Sequence, residues 1–205
     1  ESLELTKRWA LRSLKGLKRL GSKQLMYGVV HGGRFEDLRI SSARFTDKHF
    51  DAIAIGGIYE DRNTMNKIID WTVDNVSDEK VRHMLGVSEI ENLLDAVERG
   101  MDLFDCVAPT RRARHGFLYP DINIRSSKYK TDKKPIDPKC HCYTCQNYSR
   151  SYLRHLYVAE ELLYHSLSTY HNVYFIINLM KMIRSAIIEG KLSKLRQSLR
   201  VPRGG

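Results

Sequence analysis

Phe50-Asp-Ala-Ile-Ala-Ile-Gly-Gly57 is an apolar run closed by a glycine pair, and it reads as a buried strand that delivers a turn at its carboxyl end. The same pattern stands upstream. Gln24-Leu-Met-Tyr-Gly-Val-Val30 runs into His31-Gly32-Gly33, a second strand with a glycine-rich tip. Between the two, residues 34–45 take helical character, and residues 63–76 do so again downstream. The alternation continues with Val81–Val87 as strand, Ser88–Arg99 as helix and Met101–Val107 as strand. Ser88 with Glu91 makes a capping box for that helix. Ahead of all this, Leu3–Leu20 is rich in Leu, Lys and Arg at helical spacing, a basic amphipathic helix ending near Gly21. Strands alternating with helices argue for parallel βα units, in either an open doubly wound sheet or a barrel. Ligands sit at the carboxyl edge of the strands in both architectures. The turns at His31–Gly33, Gly56–Gly57, Leu85–Ser88 and Asp105–Arg114 are therefore the candidate site.

After Val107 the rhythm stops. Residues 108–138 are basic, with a hairpin around Phe117–Ile124, and they lead into Cys140-His-Cys-Tyr-Thr-Cys145. Ser149–Tyr164 and Asn172–Gly190 read as two long helices, and the tail from Lys191 to Gly205 as basic and loose.

The 205 residues, 42% hydrophobic, suffice for a folded core, and the net charge of +10 makes a polyanion the first partner to consider. An anionic membrane surface would gain from the same charge. No apolar run approaches the roughly 18 residues needed to span a bilayer, and the first residues carry no leader pattern. A soluble, intracellular, cytoplasmic protein is the expectation. The chain begins at Glu1 in what reads as mid-fold, which suggests a fragment. Three of its four cysteines crowd into positions 140, 142 and 145, which suits a metal in a reducing compartment better than disulfides.

That cluster is the most specific local pattern. A C-x-C-x₂-C arrangement puts three thiolates within reach of one ion, and tetrahedral zinc takes one further nitrogen or sulfur. His141, His155, His165 and His171 all lie near enough in sequence to supply it, His171 from a loop between the two predicted helices. Cys106 reads as a small buried hydrophobe. Asp105 ends a predicted strand in Leu-Phe-Asp-Cys-Val, where a carboxylate meets substrate at the catalytic face of a parallel sheet. Pairing with Arg111 or Arg114 would serve it equally well. Asp102 competes from the same strand, but a period of two puts it on the opposite face. Arg111, Arg112, Arg114 and His115 form a basic loop beside that carboxylate, placed to contact phosphates.

Tyr27-Gly-Val-Val-His-Gly-Gly33, Ala54-Ile-Gly-Gly57, Leu85-Gly-Val87, Phe104-Asp-Cys-Val-Ala-Pro-Thr-Arg111 and the cysteine cluster, in this order and spacing, resemble the tRNA-guanine transglycosylase family over residues 1 to 195. The resemblance implies the second half of a (β/α)₈ TIM-type barrel over residues 1–115. It also implies a zinc-binding subdomain with carboxy-terminal helices over 116–195 and a flexible basic tail over 196–205. It implies Zn²⁺ held by Cys140, Cys142, Cys145 and His171, the histidine standing 26 residues beyond the last cysteine. Asp105 matches the nucleophile that forms a covalent aspartyl–ribose intermediate. Guanine at the first anticodon position is then exchanged for a 7-deazaguanine, queuine or its precursor. Arg111 and Arg114 match residues that hold the tRNA anticodon loop. Gly57 and Ile58 match the segment that reads the base, His31-Gly32 replaces the family's Gln-Gly turn, and Leu85 falls where a pocket methionine is usual. Tyr59-Glu60-Asp61 makes the following segment shorter than the family's common pattern. A homodimer packed near the zinc subdomain is implied as well. The family's amino-terminal half, with its general acid/base, lies outside these residues. A non-catalytic tRNA-binding or partner subunit, or an enzyme acting on DNA, would share much of the pattern.

Overall fold

A computed structural model describes residues 1–57, 61–87 and 89–199, which divide at Cys106/Val107 into two compact units. The first begins with helix α1 (Ser2–Arg19) and continues through β1 (Tyr27–Val30), α2 (Glu36–His49), β2 (Ala52–Ile55), α3 (Arg62–Val73), β3 (Arg82–Leu85), α4 (Ile90–Glu98) and β4 (Leu103–Asp105). The strands form one sheet in the order β1-β2-β3-β4, every pair parallel. A doubly wound sheet reverses its strand order at a switch point. Among the described strands there is no reversal, and neighbours in the sheet follow chain order.

β2 is buried at all four positions, as a central parallel strand covered on both faces should be. The outer strands β1 and β4 are each partly exposed, because one side of each lacks a neighbour among the described strands. Around β2 the core collects Val30, Ile53, Ile55, Ile68, Ile69, Met84 and Leu94, each fully buried and each contributing roughly 1.5–3 kcal/mol. Asp61 caps α3 by accepting from the backbone N–H groups of Asn63 at 2.8 Å and Thr64 at 3.1 Å. Asp95 on α4 accepts from Arg62 Nη2 at 2.7 Å and Asn66 Nδ2 at 3.1 Å, tying α4 to α3.

Several strands are shorter than their sequence patterns. The run Val81–Val87 keeps only β3, because Gly86 turns the chain at φ +78°. The run Met101–Val107 keeps only β4, and the capping box expected at Ser88 lies outside the described residues.

The second unit holds α5 (Ala108–Arg114), a hairpin of β5 (Phe117–Leu118) and β6 (Ile122–Asn123), a 3₁₀ turn (Ser127–Tyr129), α6 (Tyr143–Asn147), α7 (Arg150–Val158), α8 (Leu162–Ile188) and α9 (Leu192–Leu199). The hairpin pairs antiparallel, Phe117 with Asn123 and Leu118 with Ile122. Its core is Leu118, Ile124, Ile136, Leu153, Leu156, Tyr164 and Leu167. Three expectations are corrected here. A single helix over 149–164 breaks after Val158, where Glu160 takes φ +56° and the N–H of Glu161 returns to Leu156 O at 2.9 Å, a Schellman-type stop. The following helix starts at Leu162 and runs unbroken through His171, so that histidine stands inside a helix and not in a loop. Residues 192–199 of the tail expected to be loose form α9, which begins just past the positive-φ Gly190.

The boundary between units also falls earlier than position 115. The residues of α5, expected as a loop, are helical with Pro109 in the first turn, and α5 packs on α8. Asn172, fully buried, fixes that packing. Its Nδ2 donates to Pro109 O and Phe117 O, both at 3.0 Å, and its Oδ1 accepts from Tyr119 N at 3.0 Å.

Candidate functional site

The cysteine cluster closes on itself in the second unit. Cys140 follows an Asx turn in which Asp137 Oδ1 accepts from Lys139 N at 2.8 Å. Cys142 is the N-cap of α6, its Sγ accepting from the N–H of Cys145 at 3.4 Å. A cap residue and the third residue of the same helix share one side, so this short helix aims two sulfurs at one point. Thr144 Oγ1 donates to Leu167 O at 2.8 Å, pinning α6 to α8 near His171. The imidazole Nδ1 lies 3.8, 3.4 and 3.4 Å from the sulfurs of Cys140, Cys142 and Cys145, and all four ligand atoms fall within 4.8 Å of one another.

Those distances are themselves a fit test. Zinc–sulfur bonds near 2.3 Å and zinc–nitrogen bonds near 2.1 Å at tetrahedral angles separate sulfur from nitrogen by about 3.6 Å. The observed spread brackets that value. His171 Nε2 lies 2.7 Å from Tyr119 O, which holds the proton on that nitrogen and leaves Nδ1 free to coordinate. All four residues are buried. Burial pushes the thiols of Cys140 and Cys145 up and the imidazole of His171 down. A pocket that raises thiols so strongly holds thiolates only with a cation among them. The group is fit to hold a metal ion.

In the first unit, register sets a second site. Val30 pairs with Ile55, Ile55 with Met84 and Leu85 with Asp105, so the turns after β1, β2 and β3 and the end of β4 line one edge of the sheet. The ring of His31 leans over the second turn: a Cβ built on Gly56 would meet its Cε1 at 3.3 Å, and one on Gly57 its Nδ1 at 3.7 Å. Burial, and then the charge of Arg39, hold its imidazole below the ordinary value. Gly57 takes φ +68°, a conformation that favours glycine. Asp105 stands at the same edge with its Oδ1 3.2 Å from His83 Nε2. Asp102 does not compete with it, because Asp102 Oδ2 accepts from Arg82 N at 2.9 Å, at the opposite end of β3.

A model of the queuine tRNA-ribosyltransferase family matches residues 1–203. The chain belongs to that family. Queuine tRNA-ribosyltransferases of Caldanaerobacter subterraneus subsp. tengcongensis and Lactococcus lactis subsp. lactis are 44% and 45% identical to it, each over 202 residues and 96% of the chain. A relative from Archaeoglobus fulgidus is 43% identical over 211 residues, again 96% of the chain. The chain spans about half the length of these relatives, 52 to 54% of each.

Of the residues singled out for the queuine tRNA-ribosyltransferase pattern, His31, Gly32, Gly57, Leu85 and Asp105 come together along the sheet edge, and Cys140, Cys142, Cys145 and His171 form the metal cluster. Ile58 lies outside the described residues, as do Tyr59 and Glu60. Arg111 and Arg114 share an exposed face of α5. Arg112 instead lays its guanidinium 5.3 Å from the centre of the Tyr119 ring. Two residues at the edge escape sequence reading, Arg39 and His83. The only hint for Arg39 was its place on a helix face otherwise built from the small Ser42 and Ala43.

Proposed function

We propose that the protein to which this chain belongs is a tRNA-guanine transglycosylase. A carboxylate oxygen of Asp105 attacks C1′ of the first anticodon nucleotide as the C1′–N9 bond breaks, its electron pair leaving on guanine. Guanine takes up a proton at N9 as it departs, and the N9 of a 7-deazaguanine, queuine or its precursor, then gives one up as it attacks C1′ and displaces the carboxylate, so no net proton is consumed. Splitting one displacement into two lets the carboxylate stabilise a developing positive centre. The observation that carries this reading is the place of Asp105: it ends β4 at the same sheet edge as the His31-Gly32 and Gly56-Gly57 turns, in a chain of this family. His31, Gly32, Gly57, Ile58 and Leu85 would line the base site. The exposed Arg111 and Arg114 would take phosphates of the anticodon loop, and the target base must be flipped out of the loop to be exchanged.

Sequential strand order supports an arc of a (β/α)₈ barrel. Zn²⁺ suits the Cys₃His cluster best, since three sulfurs and one nitrogen close a tetrahedron; the ion would be structural, binding the α6 segment to α8. Near it, the rings of Tyr143, Tyr148, Tyr152, Tyr170 and Tyr174 meet in a partly exposed row, Tyr148 stacked with Tyr152 and Tyr170 with Tyr174, and Tyr143 edge-on to Tyr148 and Tyr170. Aromatic surface of this kind supports a homodimer contact beside the zinc subdomain. Among the described residues no helix is long and apolar enough to cross a membrane, and a cytoplasmic enzyme is our reading. Incubating the full-length protein with an anticodon stem-loop and labelled guanine tests the function. Incorporation of the label is the expected result, and a stem-loop that stays unlabelled would favour a non-catalytic tRNA-binding subunit.

A further inference from the structure

Arg39 is fully buried, and its hydrogen bonds among the described residues all go to backbone carbonyls of two different turns. Nε donates to Gly33 O at 2.8 Å, Nη1 to Val30 O at 3.0 Å and Gly56 O at 2.9 Å, and Nη2 to Gly57 O at 3.3 Å. Removing a guanidinium from water is costly unless its donors are matched, and here the planar fork is matched by the ends of β1 and β2. Gly32 sets the helix that carries it: at φ +151° it packs so closely that a Cβ would come within 2.7 Å of Arg39 N. Burial pushes the guanidinium down to about 10, so it stays charged at neutral pH. Four carbonyls share that charge without cancelling it.

In a trans peptide the C=O and the following N–H point in opposite directions. A Gly56 carbonyl committed to Arg39 therefore turns the N–H of Gly57 away from the guanidinium. The positive charge behind the same peptide polarises that N–H as a donor. When guanine leaves C1′ its electron pair spreads over the ring and the 6-oxo oxygen, and a donor fixed in advance at that oxygen stabilises the charge without reorganising.

We infer that Arg39 is the positioning residue of the base site, holding the His31–Gly33 and Gly56–Gly57 turns in one arrangement and selecting bases that carry a 6-oxo acceptor. The inference rests on the reading of this edge as the base site.

The test compares guanine with 2-aminopurine, which lacks the 6-oxo group, in the full-length protein. The parent should favour guanine in kcat/KM by on the order of 10- to 100-fold, the range expected when a buried donor is left unmatched. Arg39→Lys keeps a charge but cannot span both turns. It should raise KM for guanine and lose most of that preference, while stem-loop affinity and bound metal per chain stay at parental values. A folded Arg39→Lys protein with parental discrimination overturns the inference. If the variant does not fold, the parent decides, and equal use of the two bases overturns the inference. A parent that exchanges no guanine at all would overturn the functional reading itself, and the inference with it.

Discussion

His83 Nε2 lies 3.2 Å from Asp105 Oδ1, linking the third and fourth strands through their side chains at the edge where the turns converge. The ring of His83 packs edge-on against Tyr27, 5.5 Å between centroids, so its position is set from the β1 side. The contact is a proximity without hydrogen-bond geometry, and it sets an imidazole nitrogen beside the carboxylate. His83→Phe keeps the ring and removes the nitrogen. Covalent adduct formation with an anticodon stem-loop should slow by roughly 10-fold with unchanged stem-loop affinity, and a parental rate in this variant would show the contact to be incidental.

The Cys₃His cluster should bind one metal ion per chain, with zinc recovered on elemental analysis. Cys142→Ala removes a buried ligand that also caps α6. It should abolish the stoichiometry and lower the melting temperature by roughly 10 °C or more, since binding energy here is folding energy. A metal-free protein of parental stability would refute the assignment.

Arg111 and Arg114 occupy the exposed face of α5. Alanine at each should reduce the slope of log affinity for tRNA against log salt by about one, an effect additive for the pair. Equal slopes for parent and double variant would reduce these arginines to solvated surface.

Asp47 bridges α2 to the segment before β3. Burial alone would raise its carboxyl, but the N–H and Oγ of Ser77, both at 2.9 Å, and Lys80 at 3.3 Å bring it below the usual range. A lowered folded pKa means that the unfolded chain takes up the proton more readily. The contribution is thus complete above the unfolded value near 3.9 and is lost as pH falls through the folded one. Asp47→Asn should cost about 1 kcal/mol at pH 7 by urea unfolding. The gap between parent and variant should narrow below about pH 4, and a gap independent of pH would contradict the account.

Sequence exposes what local chemistry dictates. β2 was legible because a buried parallel strand must be apolar throughout, and the cysteine spacing because three thiolates that close leave few uses other than a metal. Gly21 and Gly190 marked helix ends through their backbone freedom. Glu160 did not, since a positive φ on glutamate has no compositional mark, and the helix end placed there stayed hidden. That error put His171 in a loop. Arg39 was illegible for a different reason: in Glu36-Asp-Leu-Arg39 it looks like any arginine of an exposed helical turn, and its acceptors are complete only when the long-range return of the Gly56–Gly57 turn adds two carbonyls to those of Val30 and Gly33. His83 needed β4 beside it before its partner could be known.

The most direct test of the central claim is a covalent trap. The full-length protein and its Asp105→Asn variant are each mixed with an anticodon stem-loop, denatured, and examined for RNA that stays attached. The parent should retain a one-to-one adduct and the variant none, because an amide is a far poorer nucleophile and cannot offset positive charge at C1′. Stem-loop binding before denaturation should be the same in both. An adduct that persists in Asp105→Asn would contradict the assignment of Asp105 as the nucleophile.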